Sequence, residues 1–259
     1  QGSRIARGKA LVNLLEVSEG EKVAAILKIE SFEIEEGNEA YIMMVTKKGV
    51  VKKTYLKEFE RPLRKGKIAL KIRENDEIIA AILTYGSDQI LLVSKEGMSV
   101  RFDERDVRSM GRTAAGVRGI RLAREDEVVG VEVVESEQTI LTITENGYGK
   151  RTSEEEYRLQ KRGGKGVFAI KTSERNGKVV RAVKVTDDDE IMLITNVGKI
   201  IRMSMEHLRI IGRNTQGVRL INLEEHEKVV GIGRLAEAIE VDEDETDEVG
   251  NETGEEAEE

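Results

Sequence analysis

The chain of 259 residues has no cysteine and no tryptophan, only two histidines, and aromatic residues at 3% of its length. Without cysteine there is no disulfide framework and no thiol chemistry, which fits a reducing compartment such as the cytoplasm. The histidines, His207 and His226, stand apart in polar stretches with no matching cluster of metal ligands. No apolar run is long enough to cross a membrane, and the opening residues are not those of a signal peptide. The tyrosines, Tyr41, Tyr55, Tyr85, Tyr148 and Tyr157, read as strand or turn residues, and the carboxylates as solvated surface. No constellation for catalysis and no cofactor site emerges, so the chain is expected to be no enzyme on its own.

Charge is what the chain has in abundance: 36% of its residues are Asp, Glu, Lys or Arg, with a net charge of −8. The distribution is uneven. Residues Glu237 to Glu259 hold 13 of the 50 acids and no base. Setting those aside, the 42 Lys and Arg outnumber the remaining acids and leave residues 1–236 at about +5. Two parts are expected: a folded, mildly basic body over 1–236 and a disordered acidic tail over 237–259, too poor in apolar residues to fold.

Four segments of the body read alike: "AYIMMVTKKGVVKKTYLKEF" from Ala40, "QILLVSKEGMSVRFDERDV" from Gln89, "TILTITENGYGKRTSEEEY" from Thr139 and "EIMLITNVGKIIRMSMEHL" from Glu190. Each is an apolar run, a turn ending in glycine, and a second run. The turn glycines Gly49, Gly97, Gly147 and Gly198 are spaced by 48, 50 and 51 residues. Such pairs of runs predict β-hairpins. A second element repeats out of phase, as "ARGKALVNLL", "RKGKIALKI", "TAAGVRGIRL", "GGKGVFAIK" and "TQGVRLINL", each followed by another apolar strand such as "EKVAAIL" or "DEIIAAIL". Four strands per unit of about fifty residues predict an all-β array of blades, a β-propeller or a close variant, rather than one large sandwich. The count is four units and a further half-unit from Ile211, about five blades. The first residues enter the pattern midway, so a preceding hairpin is expected outside this chain.

Four residues beyond each turn glycine stands a cation: Lys53, Arg101, Arg151 and Arg202. The second element adds Arg7, Lys9, Arg64, Lys65, Lys67, Arg112, Arg118, Arg213 and Arg219. A cation at the same point of every blade predicts a charged rim, a counter-surface for double-stranded DNA, whose duplex carries about one charge per 1.7 Å of its axis. Single-strand binders stack bases on aromatics, which are scarce here, so contact with a duplex backbone is the expected mode. A protein-docking scaffold with an incidental basic rim is the competing reading.

The densest basic knot is "QKRGGKG": Gln160, Lys161, Arg162, Gly163, Gly164, Lys165 and Gly166. It is no nucleotide loop, since Lys165 is followed by glycine rather than Ser or Thr and a strand, not a helix, comes next. Its glycines bare backbone N–H groups and its cations supply charge-assisted hydrogen bonds, so an exposed phosphate-binding loop with all three cations free of internal salt bridges is predicted. The heptad resembles the gyrase box, Q-R-R-G-G-K-G, of the DNA gyrase A family, with Lys161 where arginine is usual. The flanking "ARGKALVNLL", "MGRTAAGVRGIRL", "NGYGKRT" and "IGRNTQGVRLINL" also resemble the C-terminal domain of that family. The resemblance covers nearly the whole body and implies a β-pinwheel whose blades exchange strands. It also implies DNA wrapping in support of negative supercoiling, and partners in the remaining A and B parts of the gyrase holoenzyme. It implies that ATP and magnesium are used elsewhere in that holoenzyme. C-terminal domains of topoisomerase IV are a close variant that usually lacks an intact box. In the family the box lies in the first blade, ahead of the segment resembling "ARGKALVNLL". In this sequence it follows that segment by three units, so the usual first blade is expected to be missing here and Gln160–Gly166 to be a secondary box.

Overall fold

The computed structural model describes residues 13, 16, 20–33, 39–61, 63 and 65–235. The acidic tail from Glu237 and the cations Arg7, Lys9 and Arg64 lie outside them. The fold is all-β. In chain order the strands are β1 (Tyr41–Thr46), β2 (Val50–Tyr55), β3 (Ile78–Thr84), β4 (Gln89–Ser94), β5 (Met98–Asp103), β6 (Val117–Arg118), β7 (Val128–Val134) and β8 (Thr139–Thr144). There follow β9 (Tyr148–Ser153), β10 (Val167–Phe168), β11 (Val179–Val185), β12 (Glu190–Thr195), β13 (Ile200–Ser204), β14 (Val218–Arg219) and β15 (Val229–Leu235).

Every repeat hairpin forms as its turn chemistry dictates. Gly49, Gly97, Gly147 and Gly198 all adopt positive φ, between 76° and 82°, and close β1–β2, β4–β5, β8–β9 and β12–β13 into antiparallel pairs. The third long strand of each unit returns to pair with the first. The short strand between them does not stay at home. It leaves its unit and adds to the preceding one, giving sheet orders β3-β1-β2-β6, β10-β5-β4-β7 and β11-β8-β9-β14. The fourth sheet, β13-β12-β15, holds three strands. The stretch from Ile211 is therefore no separate half-blade. It supplies β14 to the third sheet and β15 to the fourth, and the described residues form four sheets rather than about five.

Two expected strands are absent. "EKVAAIL" (21–27) and the "KIALKI" stretch (67–72) carry no strand and pair with none of the four sheets; Ile26 and Ile68 stand exposed.

The sheets stack face to face around a common centre, with β3, β7, β11 and β15 neighbouring one another on the inside and the donated strands at the outer edge. Stacking covers both faces of a middle strand, which is why β1 and β4 read as near-continuous apolar runs and β8, "TILTIT", is buried throughout. Leu92 packs with Met43, Val45, Phe102 and Ile120 between the first and second sheets. Its neighbour Leu91 packs with Ile140, Tyr157 and Ile170 between the second and third. Leu141, Leu193, Met205 and Ile221 fill the next gap.

The exchanged segment docks against the hairpin turn itself: the Gly97 carbonyl accepts from Ala169 N at 2.8 Å. A Cβ on Gly97 would lie 2.2 Å from the Ile170 carbonyl oxygen. Gly97→Ala is expected to destabilise by more than about 2 kcal/mol, of which about 1–2 kcal/mol is the left-handed backbone and the rest the displaced Ile170 carbonyl. Gly164→Ala, with no atom closer than 3.8 Å to its Cβ, should melt like the parent; urea unfolding of the two variants compares them.

Candidate nucleic-acid interface

The four repeated cations do sit at equivalent positions, but three of them do not face solvent. Lys53 and Arg151 are buried, at 5% and 2% exposure, and Arg101 is half-buried. The reason lies in the stacking just described: alternation puts the four on one face, and that face is covered by the next sheet. Each long side chain crosses the junction to the turn after the next unit's second strand, a 3-10 turn for Lys53 and Arg101 and the turn at Met205 for Arg151. Lys53 Nζ donates to the Glu104 carbonyl at 3.1 Å and lies 3.5 Å from its buried carboxylate. That carboxylate also accepts from Thr84 Oγ1 at 2.8 Å and Asp88 N at 2.9 Å. Arg101 Nη1 donates to the Glu154 carbonyl at 2.7 Å, and Arg151 Nη1 to the Met205 carbonyl at 2.6 Å. The backbone follows the same route, since the Lys53, Arg101 and Arg151 carbonyls accept from Met110, Gln160 and Ile211 of the next unit, at 2.8 to 2.9 Å. These residues clamp successive sheets. Arg202, in the fourth sheet, turns back to its own Glu190 and is 43% exposed.

The box-like loop lies on the outer edge and leans on the 3-10 turn of the preceding unit. Lys161 is exposed yet paired, with Nζ 2.6 Å from Asp106 Oδ1. Arg162 donates to the carbonyls of Asp106 and Arg118 at 2.9 and 3.0 Å. Gln160 is held through its N–H on the Arg101 carbonyl. The expectation of three unpaired cations is therefore corrected: among them Lys165 alone is exposed without a partner among the described residues, because Asp106 and two bare carbonyls lie within reach of the other two. The glycines divide likewise. Gly166 belongs to the strand exchange, since a Cβ there would meet the Ser99 carbonyl oxygen at 1.9 Å; Gly163 has φ of 80°, and Gly164 faces open space.

Of the remaining rim cations, Arg118 and Lys65 are exposed and carry no side-chain partner among the described residues. Lys67 caps the carbonyls of Glu58 and Glu60. Arg112 and Arg213 hold neighbouring carbonyls, of Ile68 and Phe168, and lie 3.8 and 3.7 Å from Glu58 and Glu156. Arg219 shares the Tyr148 hydroxyl.

A second repeated set escaped the sequence reading. Eleven residues beyond the turn glycine stand Arg108, Arg158 and Arg209, each just before the residue that bridges to the preceding sheet. All three are exposed, with no ion pair or hydrogen bond of their side chains among the described residues. The spacing of about fifty residues was there to be found; the first unit breaks it with Glu60.

Behind the outer loops lie two buried lysines. Lys52 Nζ donates to the carbonyls of Ala69 and Arg112, at 2.5 and 2.6 Å. Lys150 Nζ donates to the carbonyls of Gly212, at 2.8 Å, and Arg213, and to Thr215 Oγ1 at 3.3 Å. Burial, with the nearby Arg112 and Arg213 adding to it, lowers them to about 8 and about 7. Under the box-like loop the same position is Val100, so that loop has no lysine beneath it. No group of three or more His, Asp or Glu among the described residues could hold a metal ion, and none of their helices is long and apolar enough to cross a membrane.

A sequence profile described as "DNA gyrase C-terminal domain, beta-propeller" matches residues 40–84, 88–135, 138–186 and 189–235, one stretch for each sheet unit. The chain belongs to the DNA gyrase C-terminal domain family. It is 48% identical to the A subunit of DNA gyrase from Salmonella typhimurium over 243 residues, which is 94% of this chain and 27% of that protein. It thus spans about a quarter of the length of the curated relatives it matches. Among solved structures, a DNA gyrase A C-terminal domain superposes with a TM-score of 0.77 at 26% identity, covering 88% of this chain and 75% of the other. The C-terminal domain of a DNA topoisomerase IV gives 0.81, also at 26% identity, over 88% and 70%. Backbone shape does not separate those two kinds of gyrase-family C-terminal domain; the near-half sequence identity to gyrase A does.

The lowered Lys150 makes stability depend on pH. Between about pH 7 and the unfolded lysine's range near 10.5, the unfolded chain binds the extra proton, so stability rises with pH across that window; below about pH 7 both states are protonated and this contribution is flat. Urea midpoints measured from pH 7 to 10 should climb more steeply in the parent than in Lys150→Met. Parallel curves for the two would show that Lys150 is charged throughout.

Proposed function

We propose that this chain binds duplex DNA along the outer edge of its sheets and serves as the non-catalytic DNA-wrapping domain of a gyrase A protein. It supports ATP-dependent negative supercoiling by a holoenzyme of A and B subunits in the bacterial cytoplasm. ATP and magnesium would act on other parts of that assembly, and no residue here is assigned to either. The observation that carries the reading is the set Arg108, Arg158 and Arg209, exposed, unpaired among the described residues and repeated in the second, third and fourth units on the edge where the box-like loop also lies. A phosphate backbone needs regularly spaced unpaired cations and no base-specific groups, and neutralising it releases condensed counterions. Arg118 and Lys165 extend the same edge. Lys53, Arg101 and Arg151 hold the sheets in the arrangement that spaces this track, and contribute to DNA binding through it.

The log–log slope of duplex affinity against salt separates track from clamp. Replacing Arg108, Arg158 and Arg209 by Gln should reduce its magnitude by about 0.9 for each phosphate no longer neutralised, with little change in melting. Arg101→Met should lower the melting temperature and leave the slope alone. The opposite pattern would return the DNA track to the clamp residues.

The acidic tail restrains this binding in our reading. Its 13 carboxylates, tethered to a basic body, compete with DNA for the rim at roughly millimolar effective concentration, and salt screens that competition. Deleting residues 237–259 should tighten duplex binding at low salt and have little effect above physiological salt. Equal affinities of the full and shortened chains at low salt would leave the tail a role in solubility alone.

A further inference from the structure

Tyr148 opens β9 and stands directly opposite Arg219 of β14, on the outer edge of the third sheet. Its hydroxyl accepts from Arg219 Nη2 at 2.9 Å and Nε at 3.3 Å, and from Arg175 Nε at 3.3 Å. Both guanidinium groups also lie over its ring, 5.1 Å from the centroid for Arg175 and 5.4 Å for Arg219. The two arginines arrive from different units. Arg219 comes on the strand donated by the fourth; Arg175 sits in the loop before β11 of the third. That loop is fixed in place by Asn176, fully buried, whose Nδ2 donates to the carbonyls of Lys171 and Gln216 at 2.9 and 3.0 Å and whose Oδ1 accepts from Ser173 N at 2.8 Å.

Neither arginine has an ion pair among the described residues. Arg219 Nη1 reaches only Asn222 Oδ1, at 3.4 Å, and Glu145 in the adjoining turn lies 3.8 Å from Lys228 Nζ. Two like charges held side by side without a counter-ion repel. The phenol oxygen and the ring face offset part of that repulsion, and the hydrogen bonds from Arg175 and then Arg219 hold the hydroxyl below its ordinary tyrosine pKa. Arg175 uses only Nε here, so both its terminal nitrogens remain open. Forked donors of this kind match a phosphate oxygen pair bidentately. The equivalent edge positions elsewhere lack the platform: Arg118 faces Val50, and Phe168 faces Met98.

We propose that Tyr148, Arg175 and Arg219 form a phosphate seat that takes one phosphodiester of the duplex backbone on the outer edge of the third sheet. The proposal rests on the DNA-binding reading above. The duplex is the favoured source of phosphate because the seat lies on the same outer edge as Arg118, Arg162 and Lys165. Tyr148 is the platform that keeps the two guanidinium groups in register, and the arginines make the contact. The seat fixes one point of the track, where Arg108, Arg118, Arg158, Lys165 and Arg209 have no side-chain partner among the described residues to hold them.

The test uses the full chain and a blunt-ended duplex, with affinity followed by fluorescence anisotropy across a salt series. The R175Q/R219Q double variant should lower the salt slope by about 0.9, the share of one phosphate. R175K, which keeps charge but not the fork, should keep the slope and lose affinity. Tyr148→Phe keeps the ring and should weaken binding several-fold with its melting temperature nearly unchanged. Inorganic phosphate at constant ionic strength should compete with the duplex in the parent more than in the double variant; equal competition in both would count against the seat. An unchanged slope and affinity in the double variant, while R108Q/R158Q/R209Q still loses slope, would overturn the seat and leave the DNA reading standing. Absence of duplex binding by the parent would overturn both.

Discussion

Each junction between sheets depends on one exchange: a unit gives its neighbour a short strand and receives a cation in return. The donated strand completes the neighbour's outer edge, so its backbone groups are paired. The cation arriving the other way meets carbonyls that the tight turn after the second strand would otherwise leave bare inside a junction. A buried, unpaired Glu104 carboxylate or Lys53 ammonium would each cost several kcal/mol, and together they are tolerated because each faces the other and both carboxylate oxygens and the ammonium have further hydrogen-bond partners. Apolar packing fills the rest of each gap, but it is this exchange that sets how one sheet sits on the next and therefore where the outer arginines fall.

The fold was largely legible in the sequence, since turn glycines at fixed intervals between apolar runs leave little freedom in how the hairpins form. The out-of-phase element was legible as a repeat but not as a donated strand; pairing across units leaves no mark on local pattern, so the stretch from Ile211 reads in the sequence as a further half-unit. The site was legible only in part. Period-two alternation placed Lys53, Arg101, Arg151 and Arg202 on a common face correctly, but alternation says nothing about whether a face is covered. Arg108, Arg158 and Arg209 carry an equally regular spacing but stand in the turn after the second strand rather than in a strand, where period-two alternation gives no signal. Within "QKRGGKG" the chemistry was visible and its division was not. Gly166 serves the exchange, Lys161 and Arg162 are held by Asp106 and carbonyls, and Lys165 is left to solvent.

Basic residues in this domain thus differ by what surrounds them rather than by type, and three of the groups are sharply distinct. Lys52 and Lys150 sit beneath outer loops as buried donors. Lys53, Arg101 and Arg151 join the sheets. Arg108, Arg118, Arg158, Lys165 and Arg209 face outward. A net charge or a count of Lys and Arg cannot distinguish them, which is why the body's modest excess of about +5 understates how basic its outer edge is.

The exchange of strands also has a direction. β6, β10 and β14 each run back to the preceding sheet, and none runs forward. A unit therefore relies on its successor for its outer edge, while the successor relies on it for no strand at all. If a sheet opens, the one before it loses its fourth strand and the turn its cation gripped, whereas the one after keeps all of its strands and loses only the cation and carbonyl that reached its turn. Loss of strands therefore has a polarity under mechanical load: peeling a later unit strips an edge strand from the one before it, while opening an earlier unit takes no strand from the one after.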